Sequence, residues 1–367
     1  MFENYHAALA LLLADGATPS DCFRLQQPPA DIMSELESAP GRERLSETLG
    51  KPIGEVRWDH FAAQVAALER VGGSAVCVWD GDYPDYLRFI SQPPPVLYYK
   101  GTLEGVLKRG VAVVGSRRPT APGARLARAL GRELAAMGIP VVSGLARGID
   151  SAAHLGSVEG GGGGVAVIAT GLDVPYPPEN AELMLDLAAA GCVVTEQPMG
   201  RTVKSFAFPL RNRLISAFSH AVVVVEAGRR SGALITAKWA LAQGRDVGAV
   251  PGFPGIFQSG GTNALIKQGA FVVENARDVV AAMPRLGLLY EKAVVTRDAG
   301  HGGSNDRPAR LHNDTERVAA ALGRSPTDPD DLAEHTGLDA ATVQRLLFHL
   351  EMAGRAERDA MGRYTAL

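Results

Sequence analysis

The stretch Val111-Ala112-Val113-Val114-Gly115-Ser116-Arg117-Arg118-Pro119 decides how the central part of this chain folds. It joins an apolar run to a tight turn, and a helical pattern begins shortly afterwards, near Pro122. A strand, a glycine turn and a helix form the phosphate-binding unit of dinucleotide folds. Such turns usually carry further glycines, whereas this one carries two arginines and a proline. Because arginine grips phosphate bidentately at the end of a long side chain, the turn predicts phosphates on a larger, outer ligand rather than a buried NAD.

Apolar runs alternate with helical patterns from residue 111 to residue 283. Runs such as Ala221-Val222-Val223-Val224-Val225 are apolar throughout, which is typical of parallel strands that are covered on both faces. Alternation of this kind predicts an α/β fold with a doubly wound sheet, whose ligands bind at the carboxyl ends of the strands. We expect the strands at 111–115, 140–144, 165–170, 192–195, 221–226, 247–250 and 271–273, and two of the helices at 122–137 and 232–243.

The segments that flank the alternating region do not continue its pattern of alternating strands and helices. Residues 1–60 contain short helical patterns between proline and glycine breaks, which predicts a small all-α domain. Residues 61–284 form the predicted main domain, which opens with a helix (61–71), a strand (74–79) and an extended, proline-rich stretch. The polar residues 285–310 are a predicted linker.

Residues 311–367 predict a helix-turn-helix followed by a hairpin wing, that is, a winged-helix domain. Its first helix is expected at 313–322, and Asp339 is the expected N-cap of the third helix. The segment 310–367 carries 7 Lys+Arg against 10 Asp+Glu, a net charge of −3. Because a helix that reads the major groove needs more cationic or amide side chains, we expect an interaction or regulatory domain.

Composition limits the class of protein and its location. The chain has 367 residues, 46% of them hydrophobic, and its three cysteines, Cys22, Cys77 and Cys192, are too far apart for a metal motif or a disulfide framework. This cysteine usage fits a reducing cytoplasm. The sequence shows no basic leader and no apolar run of about 18 residues. We therefore expect a cytoplasmic protein without a membrane span.

The charge of the chain is unevenly distributed. The net charge is −3 overall, but residues 101–284 carry 18 Lys+Arg against 13 Asp+Glu, a net charge of +5. This segment includes the turn Gly115–Pro119, which we name the arginine turn. A modest positive charge is what a polyanionic ligand requires. Random scatter of surface charge is an alternative explanation that the value alone leaves open.

Polar side chains and glycines follow the predicted strands at their carboxyl ends. The first strand leads into Gly115–Arg118, and the second is followed by Ser143, Gly144 and Arg147. Ser143 and Gly144 are expected to offer free backbone donors, and the next helix N-terminus adds partial positive charge for a phosphate. Asp150 is open to two interpretations, an uninvolved residue at the helix N-terminus or a member of the site.

The densest cluster of candidate binding side chains lies between residues 204 and 213. Cations interleaved with aromatic rings suit a single nucleic-acid strand, since phosphates meet Lys or Arg while bases stack on Phe. The cluster precedes a predicted helix at 214–218, where the helix dipole disfavours two arginines. We expect an anion nearby, either the ligand or a carboxylate such as Glu226, and a structural Arg–Glu pair for one arginine. The candidates are Lys204, Phe208, Arg211, Asn212 and Arg213.

Several catalytic and cofactor motifs are missing from the sequence. It contains no G-x-x-x-x-G-K-[ST] loop for a nucleoside triphosphate and no G-x-S-x-G nucleophile turn. The eight histidines show no metal-ligand spacing. His154 lies one turn after Asp150 and could face the same site, although a lone helical histidine is more often structural. We expect neither a catalytic centre nor a metal or cofactor.

Together these residues resemble the DprA/Smf family, the DNA-processing proteins of bacterial transformation. The matching motifs follow the family's order between about residue 80 and residue 275. They are Tyr83-Pro84, Pro94-Pro95-Val96-Leu97, Gly115-Ser116-Arg117, Ser143-Gly144, Gly148-Ile149-Asp150, Ala153-His154, Gly171-Leu172-Asp173, Tyr176-Pro177, Phe208-Pro209, Arg211-Asn212-Arg213, Ile215-Ser216, Glu226-Ala227, Ser231-Gly232, Pro251-Gly252 and Asn263.

The resemblance implies an extended Rossmann-like domain that binds single-stranded DNA and forms a homodimer. It also implies that the protein protects incoming DNA during natural transformation and loads the recombinase RecA onto the strand. By the same resemblance, Arg117 grips a phosphate, and Lys204 with Phe208 forms a basic and aromatic base pocket. The family's flanking domains are a helical module that resembles a SAM or helix-hairpin-helix domain and a C-terminal winged helix.

Two other functions stay open at this point. The first is an enzyme of the same Rossmann class, a nucleotide-cleaving phosphoribohydrolase of the lysine-decarboxylase-like group, which has a glycine-rich loop and a glutamate at a strand end. Here Glu226 precedes Ser231–Thr236, a segment without the Pro-Gly-Gly-x-Gly-Thr pattern of that group. The second is a transcription regulator that binds duplex DNA through residues 311–367.

Overall fold

The structure is a computed structural model of the chain. It describes residues 3–25, 29–283, 289, 317–323, 325–338, 340–352, 355–359 and 363–366. Two compact units are present, residues 1–296 and residues 297–367. The predicted linker at 285–310 lies outside the described residues, apart from Leu289.

The first unit is built on one sheet of nine strands. All seven strands predicted between 111 and 273 are present, with ends that differ by a few residues. The sheet contains one strand that was not predicted. This strand, residues 96–101, is the end of the extended proline-rich stretch, and it pairs in antiparallel fashion with two neighbouring strands. The strands are β1 (Ser74–Cys77), β2 (Val96–Gly101), β3 (Gly110–Val114), β4 (Val141–Ser143), β5 (Gly164–Val167), β6 (Cys192–Thr195), β7 (Ser219–Val224), β8 (Asp246–Ala249) and β9 (Phe271–Val272).

The strand order across the sheet is β1-β2-β6-β5-β4-β3-β7-β8-β9. All pairs from β6 to β9 are parallel, while β1 and β2 are antiparallel additions at one edge. Strands β3 and β5 are buried along their whole length. Helices cover both faces of such a sheet, which accounts for the uniformly apolar runs in the sequence. The predicted doubly wound α/β fold is confirmed.

The helices of the first unit lie between and around these strands. No helix within the described ranges combines the length and the apolar character needed to cross a membrane. The helices are α1 (Glu3–Leu13), α2 (Pro19–Arg24), α3 (Pro29–Glu37), α4 (Ala39–Leu49), α5 (Trp58–Arg70), α6 (Glu104–Lys108), α7 (Ala121–Ala136), α8 (Ile149–Glu159), α9 (Ala181–Ala190), α10 (Ala207–Ala217), α11 (Ala233–Ala242), α12 (Gly260–Lys267) and α13 (Ala276–Ala282).

Helices α1–α4 form the all-α segment predicted at the N-terminus, and they share a hydrophobic core with the sheet. The ring of Tyr5 packs edge-on against Tyr98 of β2, with 5.8 Å between centroids. The indole N–H of Trp79 donates to the Leu25 carbonyl at 3.1 Å. Residues 1–296 therefore form one compact unit, and a domain boundary at residue 60 stays a prediction.

The second unit is the predicted winged helix. It contains α14 (Pro329–Thr336), α15 (Ala340–Met352) and the antiparallel wing strands β10 (Ala356–Arg358) and β11 (Tyr364–Ala366). Asp328 caps α14 by accepting from the Asp330 N–H at 3.0 Å. The predicted cap Asp339 and the start of the helix predicted at 313–322 lie outside the described residues, and residues 317–321 are helical.

Candidate nucleic-acid interface

The winding of the sheet reverses between β3 and β7. From β3 the chain adds β4, β5 and β6 on one side, and then returns to add β7, β8 and β9 on the other. At such a switch point the loops beyond the carboxyl ends of the strands diverge and leave a crevice. Here it is a cleft of about 580 Å³, which we name the edge cleft. Its lining includes Gly115, Ser116, Arg117, Phe208, Asn212 and Phe257.

The N-terminus of α7 is occupied by a carboxylate of the protein itself. Glu226, just after β7, accepts a hydrogen bond from the Thr120 backbone N–H at 2.9 Å and another from the Thr120 hydroxyl. A Cβ on Gly123 would lie only 2.2 Å from Glu226 Oε1, so the carboxylate fills the space beside the first turn. In dinucleotide folds a ligand phosphate binds at this helix end. Because Glu226 already holds this place, we expect an external anion to meet the exposed arginine side chains of the turn.

The arginine turn is fixed to the start of α8. The Ser116 carbonyl accepts from the Ile149 N–H at 3.1 Å, and the Ser116 hydroxyl accepts from the Arg118 N–H at 3.1 Å. Gly148 has a φ of 84°, and a Cβ there would lie 2.3 Å from the Ser116 carbonyl, so only glycine fits. The side chains of Arg117 and Arg118 remain exposed. The turn therefore presents two cations from a rigid backbone.

Arg117 and Phe208 form a cation–π pair at the edge cleft. The guanidinium carbon lies 4.8 Å from the centroid of the ring. The ring of Tyr176, from the loop between β5 and α9, lies 5.7 Å from that of Phe208, and the three side chains line a small pocket beside the cleft. Aromatic faces and guanidinium planes are the surfaces on which unpaired bases stack. Tyr176 is not among the residues predicted for the site, because only the tertiary fold brings it to Phe208.

Helix α10 begins earlier than the sequence indicates. The predicted helix spans 214–218, whereas α10 starts at Ala207. Pro209 lies within the first turn, where the missing N–H breaks no hydrogen bond of the helix. Arg211 and Arg213 therefore lie in the helix interior, and the predicted conflict between two arginines and the helix N-terminus is wrong.

Arg213 forms the structural Arg–Glu pair expected for one of the two arginines, but its partner is Glu196 rather than Glu226. Arg213 Nη2 lies 2.6 Å from Glu196 Oε2, and Nη1 lies 2.8 Å from Oε1. The Gln92 carbonyl also accepts from Nη2 at 2.7 Å. The Arg213 side chain is only 3% exposed. These contacts argue for a structural role and against the predicted contact with DNA.

Arg211 lies buried at the base of the edge cleft. Its Nη1 donates to the Gly144 carbonyl at 2.7 Å and to the Val167 carbonyl. Burial lowers the pKa of Arg211 to about 10; Asp150 opposes this effect and Arg117 adds to it. Burial also raises the pKa of the Asp150 carboxyl, and Arg211 opposes that shift. Among the described residues that line the cleft, the guanidinium groups of Arg117, Arg211 and Arg230 outnumber the carboxylate of Asp150, so the cleft favours an anion.

After β4, the backbone N–H of Gly144, which was predicted to be a free donor, and the side-chain hydroxyl of Ser143 are both engaged within the protein. The Gly144 N–H donates to Asp150 Oδ2 at 3.1 Å, and the Ser143 hydroxyl donates to the Val113 carbonyl at 2.7 Å. Asp150 lines the cleft, which favours its interpretation as a member of the site. His154 is fully buried, and burial lowers the pKa of its imidazole to about 4. A free phosphate donor at Gly144 is a wrong prediction for this structure.

The remaining candidates are placed around the rim. Arg147 pairs with Glu179 in an exposed contact of 3.1 Å from Nη2 to Oε2, which solvent screens and which leaves Arg147 able to meet a phosphate. Asn212 is half-buried and lines the edge cleft. Lys204 is exposed just before α10 and lines neither the cleft nor the small pocket beside it. Arg118 is exposed on the arginine turn.

A doubly wound sheet with a cation–aromatic cleft at its switch point defines the class of protein: a Rossmann-type fold suited to an anionic ligand that carries aromatic bases. The family model for DNA recombination-mediator protein A matches residues 74–284, and the model for the DprA winged helix domain matches residues 304–360. The chain is 38% identical over 264 residues to DNA processing protein DprA of Bacillus subtilis, covering 72% of this chain and 89% of the relative. The chain therefore belongs to the DprA/Smf family of DNA recombination-mediator proteins.

Solved structures of relatives share the fold. DNA processing protein A of Streptococcus pneumoniae superposes with a TM-score of 0.62 at 33% identity, covering 76% of this chain and 96% of that chain. DNA processing protein A of Helicobacter pylori superposes with a TM-score of 0.53 at 26% identity, covering 58% of this chain and 96% of that chain. The latter structure describes a single-stranded DNA binding mode of the H. pylori protein.

Proposed function

We propose that this chain is a non-catalytic recombination mediator that binds single-stranded DNA at the edge cleft. The observation that carries the proposal is the contact of 4.8 Å between the Arg117 guanidinium and the Phe208 ring. The pair provides a cation that can bind a phosphate and flat surfaces on which a base can stack. It lies at the carboxyl ends of the strands, where folds of this type bind their ligands. The single-stranded DNA binding mode of the H. pylori relative supports the same ligand.

The chemistry of the cleft favours a single strand over a duplex. A base can stack on the Phe208 ring or on the Arg117 guanidinium only when its own face is uncovered, and in a duplex both faces are covered by neighbouring bases. The exposed Arg118 and Arg147 lie beside the cleft and suit the phosphates on either side of the stacked base. Stacking tolerates any base, so we expect little dependence on sequence.

A mobility-shift series tests this function directly. Labelled single strands and duplexes of equal length are titrated with the full chain at several salt concentrations. We expect tighter binding to the single strand and a log–log salt slope of at least about 2 in magnitude, since Arg117, Arg118 and Arg147 each release roughly 0.7 counterions on a single strand. Equal affinity for the duplex, or an affinity that salt leaves unchanged, contradicts the proposal.

The environment of Glu226 argues for binding rather than cleavage. In a nucleotide-cleaving enzyme of the lysine-decarboxylase-like group, a glutamate at this strand end would have to reach the substrate. Here both carboxylate oxygens of Glu226 accept hydrogen bonds from Thr120. Release of free base from AMP, measured by chromatography, would support the enzymatic alternative, and we expect none above the level of a Glu226→Gln variant.

In the cell, we infer a cytoplasmic homodimer that protects incoming single strands during natural transformation and loads RecA onto them. The match to the recombination-mediator family supports the recombination part of this role. RecA assembly on a strand precoated with single-strand-binding protein, followed by RecA ATP hydrolysis, tests the loading. The unmodified chain should shorten the lag before RecA begins to hydrolyse ATP, and the Arg117→Ala variant should not shorten it. If the unmodified chain leaves this lag unchanged, the proposed loading of RecA is wrong. A nuclease-protection assay tests whether the chain protects single strands, and sedimentation of the free chain tests whether it forms a homodimer.

A further inference from the structure

The edge cleft continues past the Arg117–Phe208 pair to a second aromatic ring. Phe257, in the loop after β8, lines the same cleft, and 77% of its surface is exposed. Strands β3, β7 and β8 are consecutive neighbours, so Arg117, Arg230 and Phe257 follow three adjacent strand ends. Adjacent strands lie about 4.8 Å apart, which separates the turn after β3 from the loop after β8 by roughly 10 Å.

Phe257 is held in a fixed position at this edge of the sheet. A Cβ on Gly228 would lie 2.6 Å from ring atoms of Phe257, so one part of the ring rests directly on the glycine. The loop is tied down by the Ala227 N–H, which donates to the Gln258 carbonyl at 2.8 Å, and by the Gly261 N–H, which donates to the Ala227 carbonyl at 2.7 Å. A ring that is already fixed loses little conformational entropy when a ligand stacks on it.

A cation accompanies this second ring. Arg230 follows β7, is exposed, and lines the edge cleft between the two aromatic positions in strand order. Arg230 and Phe257 line the same cleft, and together they offer the same two chemical groups, a guanidinium and an aromatic ring, as Arg117 and Phe208. The exposed face of the Phe257 ring, beside a cationic groove, offers a surface on which a base can stack.

We propose that Phe257 and Arg230 form a second base-and-phosphate platform, and that one DNA strand runs along the edge cleft from Phe208 to Phe257. This inference rests on the proposed function and adds to it the path of the strand across the sheet edge. The ligand is a continuous single strand that is long enough to reach both rings. A strand that reaches only the Arg117–Phe208 pair gains nothing from Phe257, so the contribution of Phe257 depends on the length of the strand.

The test compares Phe257→Ala with Phe253→Ala by fluorescence anisotropy, using labelled thymidine strands from a dinucleotide to roughly 16 nucleotides. At roughly 3.4 Å per nucleotide, a dinucleotide is too short to span the gap of roughly 10 Å between the two platforms. Phe253 is the matched control, since it lies in the same loop, is 76% exposed and does not line the cleft. We expect Phe257→Ala to bind the longest strands roughly tenfold more weakly and the shortest strands like the unmodified chain. Phe253→Ala should bind strands of every length like the unmodified chain.

Two further variants test the ring and the cation separately. Phe257→Trp should bind like the unmodified chain, and its indole fluorescence should be quenched by long strands beyond any quenching of Trp58, Trp79 and Trp239 in the unmodified chain. Arg230→Ala should reduce the magnitude of the log–log salt slope by about 0.7, the contribution of one phosphate contact on a single strand.

The outcomes separate this inference from the proposed function. If the unmodified chain binds single strands and Arg117→Ala weakens that binding, while Phe257→Ala binds all lengths normally, the second platform is wrong and the proposed function stands. If the unmodified chain binds no single strand, the proposed function itself fails. If Phe257→Ala alters the sedimentation of the free chain and Phe257→Trp shows no quenching, the ring belongs to a contact between copies, and the inference is overturned.

Discussion

Arg211 and Arg213 stand two residues apart in α10 and meet opposite surroundings. Arg213 lines a cavity beneath the N-terminal helices and pairs there with Glu196, at 2.6 Å from Nη2 to Oε2. Arg211 lines the edge cleft and donates to the Gly144 carbonyl at 2.7 Å. One helix therefore anchors the fold with one arginine and charges the binding cleft with the other. Substitutions along α10 can separate stability from binding.

Replacing Arg213 should destabilise the fold. Arg213→Ala leaves the Glu196 carboxylate without its cation in a site where that side chain is only 12% exposed. We expect a loss of about 3–5 kcal/mol in the free energy of unfolding, measured by urea titration. Arg117→Ala, an exposed control, should stay within about 0.5 kcal/mol of the unmodified chain. Unchanged stability of Arg213→Ala would contradict the structural role of the pair.

Arg117 and Phe208 should contribute to DNA binding as a coupled pair. Arg117→Ala and Phe208→Ala should each weaken single-strand binding by about 1–3 kcal/mol. The double variant should lose less binding free energy than the two single variants together, because the cation–π contact between the two side chains is worth about 0.5–2 kcal/mol. Phe206→Ala is the control, since Phe206 is 61% exposed and lines neither the cleft nor the small pocket. Additive losses in the cycle, measured by anisotropy, would contradict the coupling.

The space beside the first turn of α7 should reject a methyl group. Gly123→Ala places a Cβ 2.2 Å from Glu226 Oε1, and we expect a destabilisation of about 1–3 kcal/mol from overpacking. Helix propensity alone predicts the opposite sign, a gain of about 1 kcal/mol for alanine. Gly81→Ala is the control, because nothing lies within 4 Å of its Cβ. Thermal unfolding distinguishes the two signs, and a stabilised Gly123→Ala would show that Glu226 does not fill this space.

The buried imidazole of His154 should make stability fall in acid. Burial lowers its pKa from 6.5 to about 4, so between these values the unfolded chain binds a proton that the folded chain does not. The contribution of this histidine is complete above pH 6.5 and declines towards pH 4, by up to about 1.4 kcal/mol per pH unit. His154→Leu removes this titration, and the difference between the two urea-stability slopes isolates it. Parallel slopes would show that His154 titrates normally.

The sheet could be predicted because its signal is local. Runs such as Ala221-Val222-Val223-Val224-Val225 are apolar at every position, and only a strand buried on both faces requires that pattern. Strand β2 escaped prediction because Pro93–Pro95 indicate extended chain without a partner, and its pairing with β6 joins residues about a hundred positions apart. The start of α10 was misplaced because Pro209 reads as a helix breaker, although the first turn tolerates it.

The candidate site was predictable at the level of strand ends but not of individual contacts. Arg117 and Phe208 follow from the pattern of cations and aromatics near those ends. The assignment of Arg213 could not be settled from sequence, since Glu196 lies on another element and carries no local sign of the pairing. Tyr176 reaches Phe208, and Glu226 reaches Thr120, only through the tertiary fold. Whether a polar group faces the ligand or the protein interior depends on such long-range neighbours.

The carboxylate of Glu226 at the N-terminus of α7 also affects whether free nucleotides can bind there. A free nucleotide or dinucleotide that approached this helix end would have to displace a glutamate tethered to the same chain, whose effective concentration exceeds that of dilute competitors. The helix end that dinucleotide folds offer to a phosphate is thereby closed to dilute nucleotides. Under the proposed function, occupancy of the cleft responds to the amount of unpaired DNA and to the salt concentration.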